Sequence, residues 1–473
     1  MKRLAPFAAA LVVLGLAGAA PQVAVASPDA KVDQQIRPCF GLLLEPNLSK
    51  GCGVRRPVKR KPPRRPYYPG GGYAPYRTVV DCDVAYPGEV NEVLSRLYDG
   101  DTLTLVSRNG GACLESLSVT RSVVITARDY SPSRTRPILI APADQPCIRI
   151  APGVAFVVLQ NLGLEASRGG SASCIVGRAT ELALKGVVVR YDGEASAIDV
   201  ADSRVEMIET AFVGRTRAPV VKLSGSLQAQ DIDVAATAIG MAVETGRDSR
   251  LRDIRVVRLG DWSGSSRTRN SAGFVLTGVN RDQLVQIDGL STDGFSRGIY
   301  ISGGETTLQR PVVRDSDWAV VLEGADLRVL DGRLEAADVG IYAASGVVYA
   351  SDNAIAGVMR AGLFADSGAQ IRARDNRVFA HPGGCEALVT GYFDGALTCR
   401  PWFEAPELFR TPRDRARVDY DSYWPAGAVA VLSGPPSGAL AGGPADPYEA
   451  SAAAGGPVGP STGTPTRPQG GPR

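Results

Sequence analysis

Histidine is nearly missing from this chain, with His381 the single example among 473 residues. The eight cysteines include no Cys-x-x-Cys pair. Together these absences leave zinc centres and dithiol redox chemistry little to build on. No window sustains a 3.6-residue apolar period over the length of a helix, which argues against a helical architecture. Beyond residue 26 no apolar run is long enough to cross a bilayer. An excess of one charge sign is also lacking: Lys and Arg number 52 against 49 Asp and Glu, a formal net charge of +3. The small surplus is concentrated in one segment near the N-terminus.

What the chain has instead is a repeat. Ten times between residues 156 and 378 it places an apolar residue, a gap, a second apolar residue, a turn residue two further on, and an apolar residue three after that. The turn positions fall on Asn161, Gly186, Glu209, Asp231, Asp253, Asp288, Arg310, Asp331, Asp352 and Asp375, at steps of 25, 23, 22, 22, 35, 22, 21, 21 and 23. Two before each turn come Leu159, Leu184, Met207, Ala229, Leu251, Gln286, Leu308, Val329, Ala350 and Ala373. Three after come Leu164, Val189, Phe212, Val234, Val256, Ser291, Val313, Leu334, Ile355 and Val378. A period of this length means stacked coils rather than a globule around one central core.

The unit is built of strands. In Val348-Tyr349-Ala350-Ser351-Asp352-Asn353-Ala354-Ile355 apolar residues alternate with others up to the turn, as in a half-buried strand. A second short strand follows about ten residues later: Gly298-Ile299-Tyr300-Ile301, Ala319-Val320-Val321-Leu322, Gly340-Ile341-Tyr342-Ala343 and Gly362-Leu363-Phe364-Ala365. Its starts are 21, 21 and 22 apart, in lockstep with the turns. The spacing predicts an all-β parallel β-helix solenoid of about ten or more coils. Leucine-rich repeats have a similar length, but their Leu/Asn signature is absent.

Upstream, Pro87-Gly88-Glu89-Val90 opens a short amphipathic segment carrying Val93, Leu94 and Leu97. Gly100-Asp101-Thr102-Leu103-Thr104-Leu105 and Gly111-Ala112-Cys113-Leu114-Glu115-Ser116-Leu117-Ser118-Val119 follow. With the repeats, this order resembles the pectin-lyase-like family of right-handed parallel β-helices, in its secreted bacterial form. The resemblance extends over residues 82–400 and implies a capping helix before the first coil. It says much about fold and little about activity.

The ends divide differently. Residues 1–26 have a signal peptide's layout, with Lys2 and Arg3 leading an apolar stretch and Ala24-Val25-Ala26 preceding Ser27. Pro21 and Gln22 interrupt that stretch and argue against a membrane anchor. Residues 27–54 form a short cysteine-containing segment, and residues 55–77 a basic Pro/Gly-rich linker. The linker is either a docking arm for an anionic surface or a solvated spacer. Residues 401–433 are an aromatic-rich extension expected to pack on the β-helix, and residues 434–473 a Pro/Gly/Ala-rich tail expected to be disordered. Export suits the even cysteine count. Neighbours pair naturally as Cys39–Cys52, Cys82–Cys113, Cys147–Cys174 and Cys385–Cys399, the third pair one coil apart.

Three places offer chemistry. The turn row would align Asp231, Asp253, Asp288, Asp331, Asp352 and Asp375 at about 4.8 Å per rung. Such a line needs either bound calcium or, as is the commoner use of turn aspartates, local backbone bonding, with Arg333, Arg374 and Arg377 as counter-charges. The second strand's outward face is the next candidate. If Ile299 and Ile301 point inward, then Tyr300 points out, and the same phase exposes Asp199, Lys222, Val275, Val321, Tyr342 and Phe364. Such a stripe of rings fits either a sugar or a cover from the protein's own residues 401–432. Last is the irregular step of 35, which inserts Asp261, Trp262, Arg267 and Arg269 into an otherwise regular coil, where solenoids often carry binding loops.

Against these stand missing motifs. The histidine and Asn-Thr-Asp motifs of the polygalacturonase branch are not present, and neither is a methylesterase's Gln-Asp-Thr-Leu type motif. Arg400-Pro401-Trp402 is similar to the methylesterase Gly-Arg-Pro-Trp type motif but follows Cys399 and lies at the wrong end. No catalytic residue and no metal ligand can be assigned. The expectation is a non-catalytic, exported module, periplasmic or extracellular, that contacts an acidic polysaccharide or cell-envelope component. The alternatives are a polysaccharide lyase or epimerase on an acidic glycan, and a structural spacer. No cofactor is expected, calcium entering only with a lyase. A nucleic-acid partner does not fit an exported chain, and the oligomeric state is open.

Overall fold

The computed structural model describes residues 77–129, 138–166, 169–178, 180–245, 249–259, 271–278, 284–385, 387–406 and 409. They form a parallel β-solenoid of about 13 turns with a single six-residue helix. Every strand pairing is parallel, each rung bonding the next. Three sheets result. The first precedes the turn row and runs from Arg77–Asp81 through Phe156–Gln160, Glu181–Lys185 and Glu305–Gln309 to the beginning of Tyr392–Pro401. The second follows the turn, through Gly163–Ala166, Val188–Asp192 and Ala354–Ala356. The third continues each coil through Ile175–Arg178, Ile239–Glu244, Ala272–Thr277 and Arg297–Ser302.

The corner between the first and second sheets explains the turn row. Asn161, Glu209, Asp231, Asp253, Arg310, Asp331, Asp352 and Asp375 all adopt left-handed backbone, with φ between 49 and 59°. Only residues tolerant of that region turn the chain so tightly, and Asp and Asn lead after Gly. One rung departs from the sequence reading: the left-handed residue is Gly289, not Asp288. Arg252 pairs with Asp288, which puts Gly289 beneath Asp253. The inward positions there are therefore Ile287 and Thr292, both buried, rather than Gln286 and Ser291. Two polar residues in apolar slots were the sign of the slip, since a one-residue shift turns a strand's side chains to its other face. Nor do the turn carboxylates fold onto their own backbone. Asp231, Asp352 and Asp375 accept from the preceding side chains of Gln230, Ser351 and Arg374.

Inside the corner, the residue after the turn is buried. Asn353 and Asn376 are fully covered and form an amide ladder. Asn353 donates Nδ2 to Val329 O at 3.0 Å and to Asn376 Oδ1 at 2.8 Å, while Asn376 Nδ2 donates to Ala350 O at 2.8 Å. Their carbonyls accept the backbone N–H of Gly332 and Asn353. Each buried amide is thus satisfied, which keeps its burial from becoming a penalty. At the corner into the third sheet the interior is too narrow for a Cβ. One added at Gly298 would collide with Val313, and one at Gly340 with Ile355.

The expected capping helix is Glu89–Leu94, with Val90, Leu94 and Leu97 buried over the first coil. Its amide end is met by the buried carboxylate of Glu115, which accepts from Val90 N at 2.9 Å and Asn91 N at 3.1 Å. Three of the four expected disulfides are present, with Cα separations of 4.8 Å (Cys82–Cys113), 4.5 Å (Cys147–Cys174) and 5.6 Å (Cys385–Cys399). Cys147 and Cys174 sit on adjacent rungs, just ahead of the paired Ile148 and Ile175. Cys39, Cys52, the leader, the basic linker and the Pro/Gly/Ala-rich tail lie outside the described residues.

Candidate functional site

The third sheet places Val176, Asp199, Lys222, Ala242, Val275, Tyr300, Val321, Tyr342, Phe364 and Leu388 one above another. The row changes character along its length. Early on, Lys222 Nζ pairs with Asp199 at 3.1 Å. Later it is aromatic, with Tyr300, Tyr342 and Phe364 half-buried. Two members depart from the expected exposure: Val275 and Val321 are 4% and 2% exposed. Both lie beside tyrosine rungs, and Val321 sits between Tyr300 and Tyr342, whose longer side chains rise past it. What reaches solvent is a set of rings over a valine floor.

Trp318 joins this set, although the sequence reading passed over it. It lies within the strand Val312–Glu323, one rung below Arg297. Its ring centroid lies 5.2 Å from that of Tyr342, and Tyr342 lies 5.2 Å from Phe364 at 71°. Arg297 spans the gap to Tyr300, its guanidinium 5.9 Å from the Tyr300 and Trp318 rings alike, and Arg360 lies 5.3 Å over Phe364. These are cation–π distances. The signal for Trp318 was its position two residues ahead of Val320, but its line of contact crosses rungs, which a periodic reading does not follow.

Carboxylates hold the polar edges of the rings. Tyr300 Oη donates to Glu323 Oε2 at 2.6 Å, and Tyr342 Oη to Asp366 Oδ2 at 3.2 Å. Trp318 Nε1 donates to Asp338 Oδ2 at 2.9 Å, and the same oxygen faces Arg360 at 3.3 Å. Burial, with Glu323 beside it, pushes the Tyr300 phenol well above its ordinary range, so it stays a protonated donor. Burial and Asp366 raise Tyr342 in the same direction. The Ser367 N–H, with Thr390 and Tyr342, holds Asp366 below the usual carboxylate range. Carboxylates thus fix the edges of Tyr300, Trp318 and Tyr342, while Arg297 and Arg360 lie against ring faces and the rings stay half-exposed.

Asp261, Trp262, Arg267 and Arg269 lie outside the described residues. Their insertion begins after Arg258, where the second sheet ends, and closes before Ala272, where the third begins. Within the described part of the C-terminal extension, Trp402 and Phe409 pack against Ala356, Phe379 and Ala405. That places them on the second sheet, not over the ring strip. His381 is exposed and lies 6.0 Å from Trp402, consistent with a structural position. Among the described residues, no three His, Cys, Asp or Glu side chains converge as metal ligands would. No helix among them is long and apolar enough to cross a membrane.

No family model matches the chain, and neither does any curated protein sequence. Among solved structures it is similar to the A-module of the mannuronan C-5 epimerase AlgE6 from Azotobacter vinelandii. The identity is 11% over 64% of this chain and 91% of that one, with a TM-score of 0.34.

Proposed function

We propose that this is an exported, non-catalytic recognition module that binds a polysaccharide or another carbohydrate-bearing envelope component along its third sheet. The observation that carries the reading is the run of Trp318, Tyr342 and Phe364 with Tyr300 beside it. Rings fixed at their edges offer apolar faces on neighbouring rungs, the arrangement that stacks on the flat faces of successive sugars in an extended chain. Ordering them beforehand lowers the entropy lost on binding. Three disulfides are consistent with an oxidising compartment, which accords with export.

A lyase or epimerase would need an acid and a base free to exchange protons at one point. In this strip Arg297 and Arg360 lie over rings, and Glu323, Asp338 and Asp366 accept from ring hydroxyls or indole. Asp366 is shifted away from the range of a general acid. These commitments favour recognition.

A glycan array probed with the mature protein, with and without calcium and read for both binding and unsaturated products, tests the proposal. Binding without products, abolished by Tyr342→Ala together with Trp318→Ala, is the expected result. Products formed in the presence of calcium would overturn it in favour of a lyase, and silence in both readouts would leave a structural spacer.

A further inference from the structure

The first sheet has a different outward surface, with open space over it. Two adjoining depressions, of about 440 and 430 Å³, share Glu206 and Gln228 and extend from Phe156 to Gln309. The upper one is electrostatically closed: Lys185 pairs with Glu206 at 3.1 Å, and Arg204 faces Glu181 at 3.8 Å. The lower one is not. Arg250 and Arg252 stand two apart on one strand, hence on one face and about 7 Å from each other. Arg250 makes no hydrogen bond or ion pair among the described residues. Arg252 lies over Asp288 in register, but Asp288 is taken from the rung below, where Arg310 donates Nε at 2.8 Å and a terminal nitrogen at 2.7 Å. Gln228 and Gln230 lie on the rung above the two arginines and Gln286 on the rung below, with Gln309 one rung further.

We infer that this lower depression is a second binding site, specific for the acid groups of an anionic polysaccharide, whether sugar carboxylates or ester sulfates. Two guanidiniums without a carboxylate of their own match a planar or tetrahedral oxyanion, which they bond through paired N–H groups. The glutamines around them both donate and accept, as sugar hydroxyls require. Rungs spaced at about 4.8 Å set these groups along the solenoid axis, so that an extended chain meets them in succession. The site is on a different sheet from the aromatic strip and does not depend on it.

The test uses the full mature chain with alginate, dextran sulfate and neutral dextran as probes. Arginines are modified with phenylglyoxal in the presence and absence of each polymer and located by peptide mass mapping. Protection of Arg250 and Arg252 by an anionic polymer but not by dextran is expected. So is an affinity loss of about tenfold in Arg250→Gln/Arg252→Gln, with the melting temperature unchanged. Protection by alginate alone assigns the carboxylated class, and by dextran sulfate alone the sulfated class. Protection confined to the arginines of residues 55–77, or unchanged affinity in the double variant, would overturn the inference. Tyr342→Ala/Trp318→Ala should leave the protection in place, which separates this site's failure from that of the aromatic strip.

Discussion

The first and third sheets share one backbone ladder and one interior, yet their outward faces differ. On the third, Trp318, Tyr342 and Phe364 touch from rung to rung at 5.2 Å centroid spacing. On the first, earlier rungs carry Arg250, Arg252 and glutamines around open space. A solenoid separates the tasks of its side chains: inward positions are held to the period by packing, while outward ones are free to take any chemistry the rung spacing can align. The difference between two faces of one molecule is therefore the better guide to what each contacts.

The sharpest way to break the comparison is to disturb what both faces share. Gly340→Val places a side chain where Ile355 and the Gly362 carbonyl already sit, and it should cost about 3 kcal/mol in denaturant unfolding. Both binding activities should fall together in that variant, in proportion to the unfolded fraction. Next in size is Trp318→Ala with Tyr342→Ala, expected to weaken glycan binding by about 2 kcal/mol, roughly thirtyfold in titration calorimetry. It should leave the arginine-lined depression unaffected, and an equal loss at both sites would show that the faces are coupled.

Tyr300→Phe is a smaller change. It removes the hydroxyl bonded to Glu323 but keeps the ring, so at most about 1 kcal/mol of stability should be lost, with glycan affinity retained. A larger affinity loss would mean that the phenol itself meets the ligand.

The smallest expected effects are those of pH. The Tyr300 phenol is raised above its ordinary 10.0 by burial and by Glu323, so the fold favours its protonated form. Its stabilising contribution is complete below pH 10 and is lost as pH rises through the folded value. Asp366 behaves in the opposite sense: held below 3.8, it contributes above that value and less as pH falls through its folded pKa. Ultraviolet titration of the tyrosines should therefore show a late-ionising group that ionises earlier in Glu323→Gln but stays above the ordinary range, because its burial remains.

Much of the architecture was legible in the amino-acid sequence, because a solenoid repeats its physics at short range. Apolar alternation marks the strands. Residues tolerant of left-handed backbone mark the corner, as at Asp331 and Asp352, and steps of 21–25 place equivalent residues on adjacent rungs. The Cys147–Cys174 pairing follows from the same spacing, whereas the helix over Glu89–Leu94 was implied by the family resemblance. Where the period was interrupted, register slipped by one residue, and only the stacked rungs revealed Gly289 in the corner.

The surfaces were decided by tertiary structure. Whether Val321 is exposed depends on the tyrosines above and below it. Whether Trp318 belongs to the strip depends on a contact that crosses rungs, and whether Arg252 is open to a ligand depends on Arg310 having claimed Asp288. Periodicity along the chain specifies which backbone stacks on which. The reach of a long side chain toward its neighbours is set in the two directions perpendicular to the chain, and those exist only once the coils are stacked.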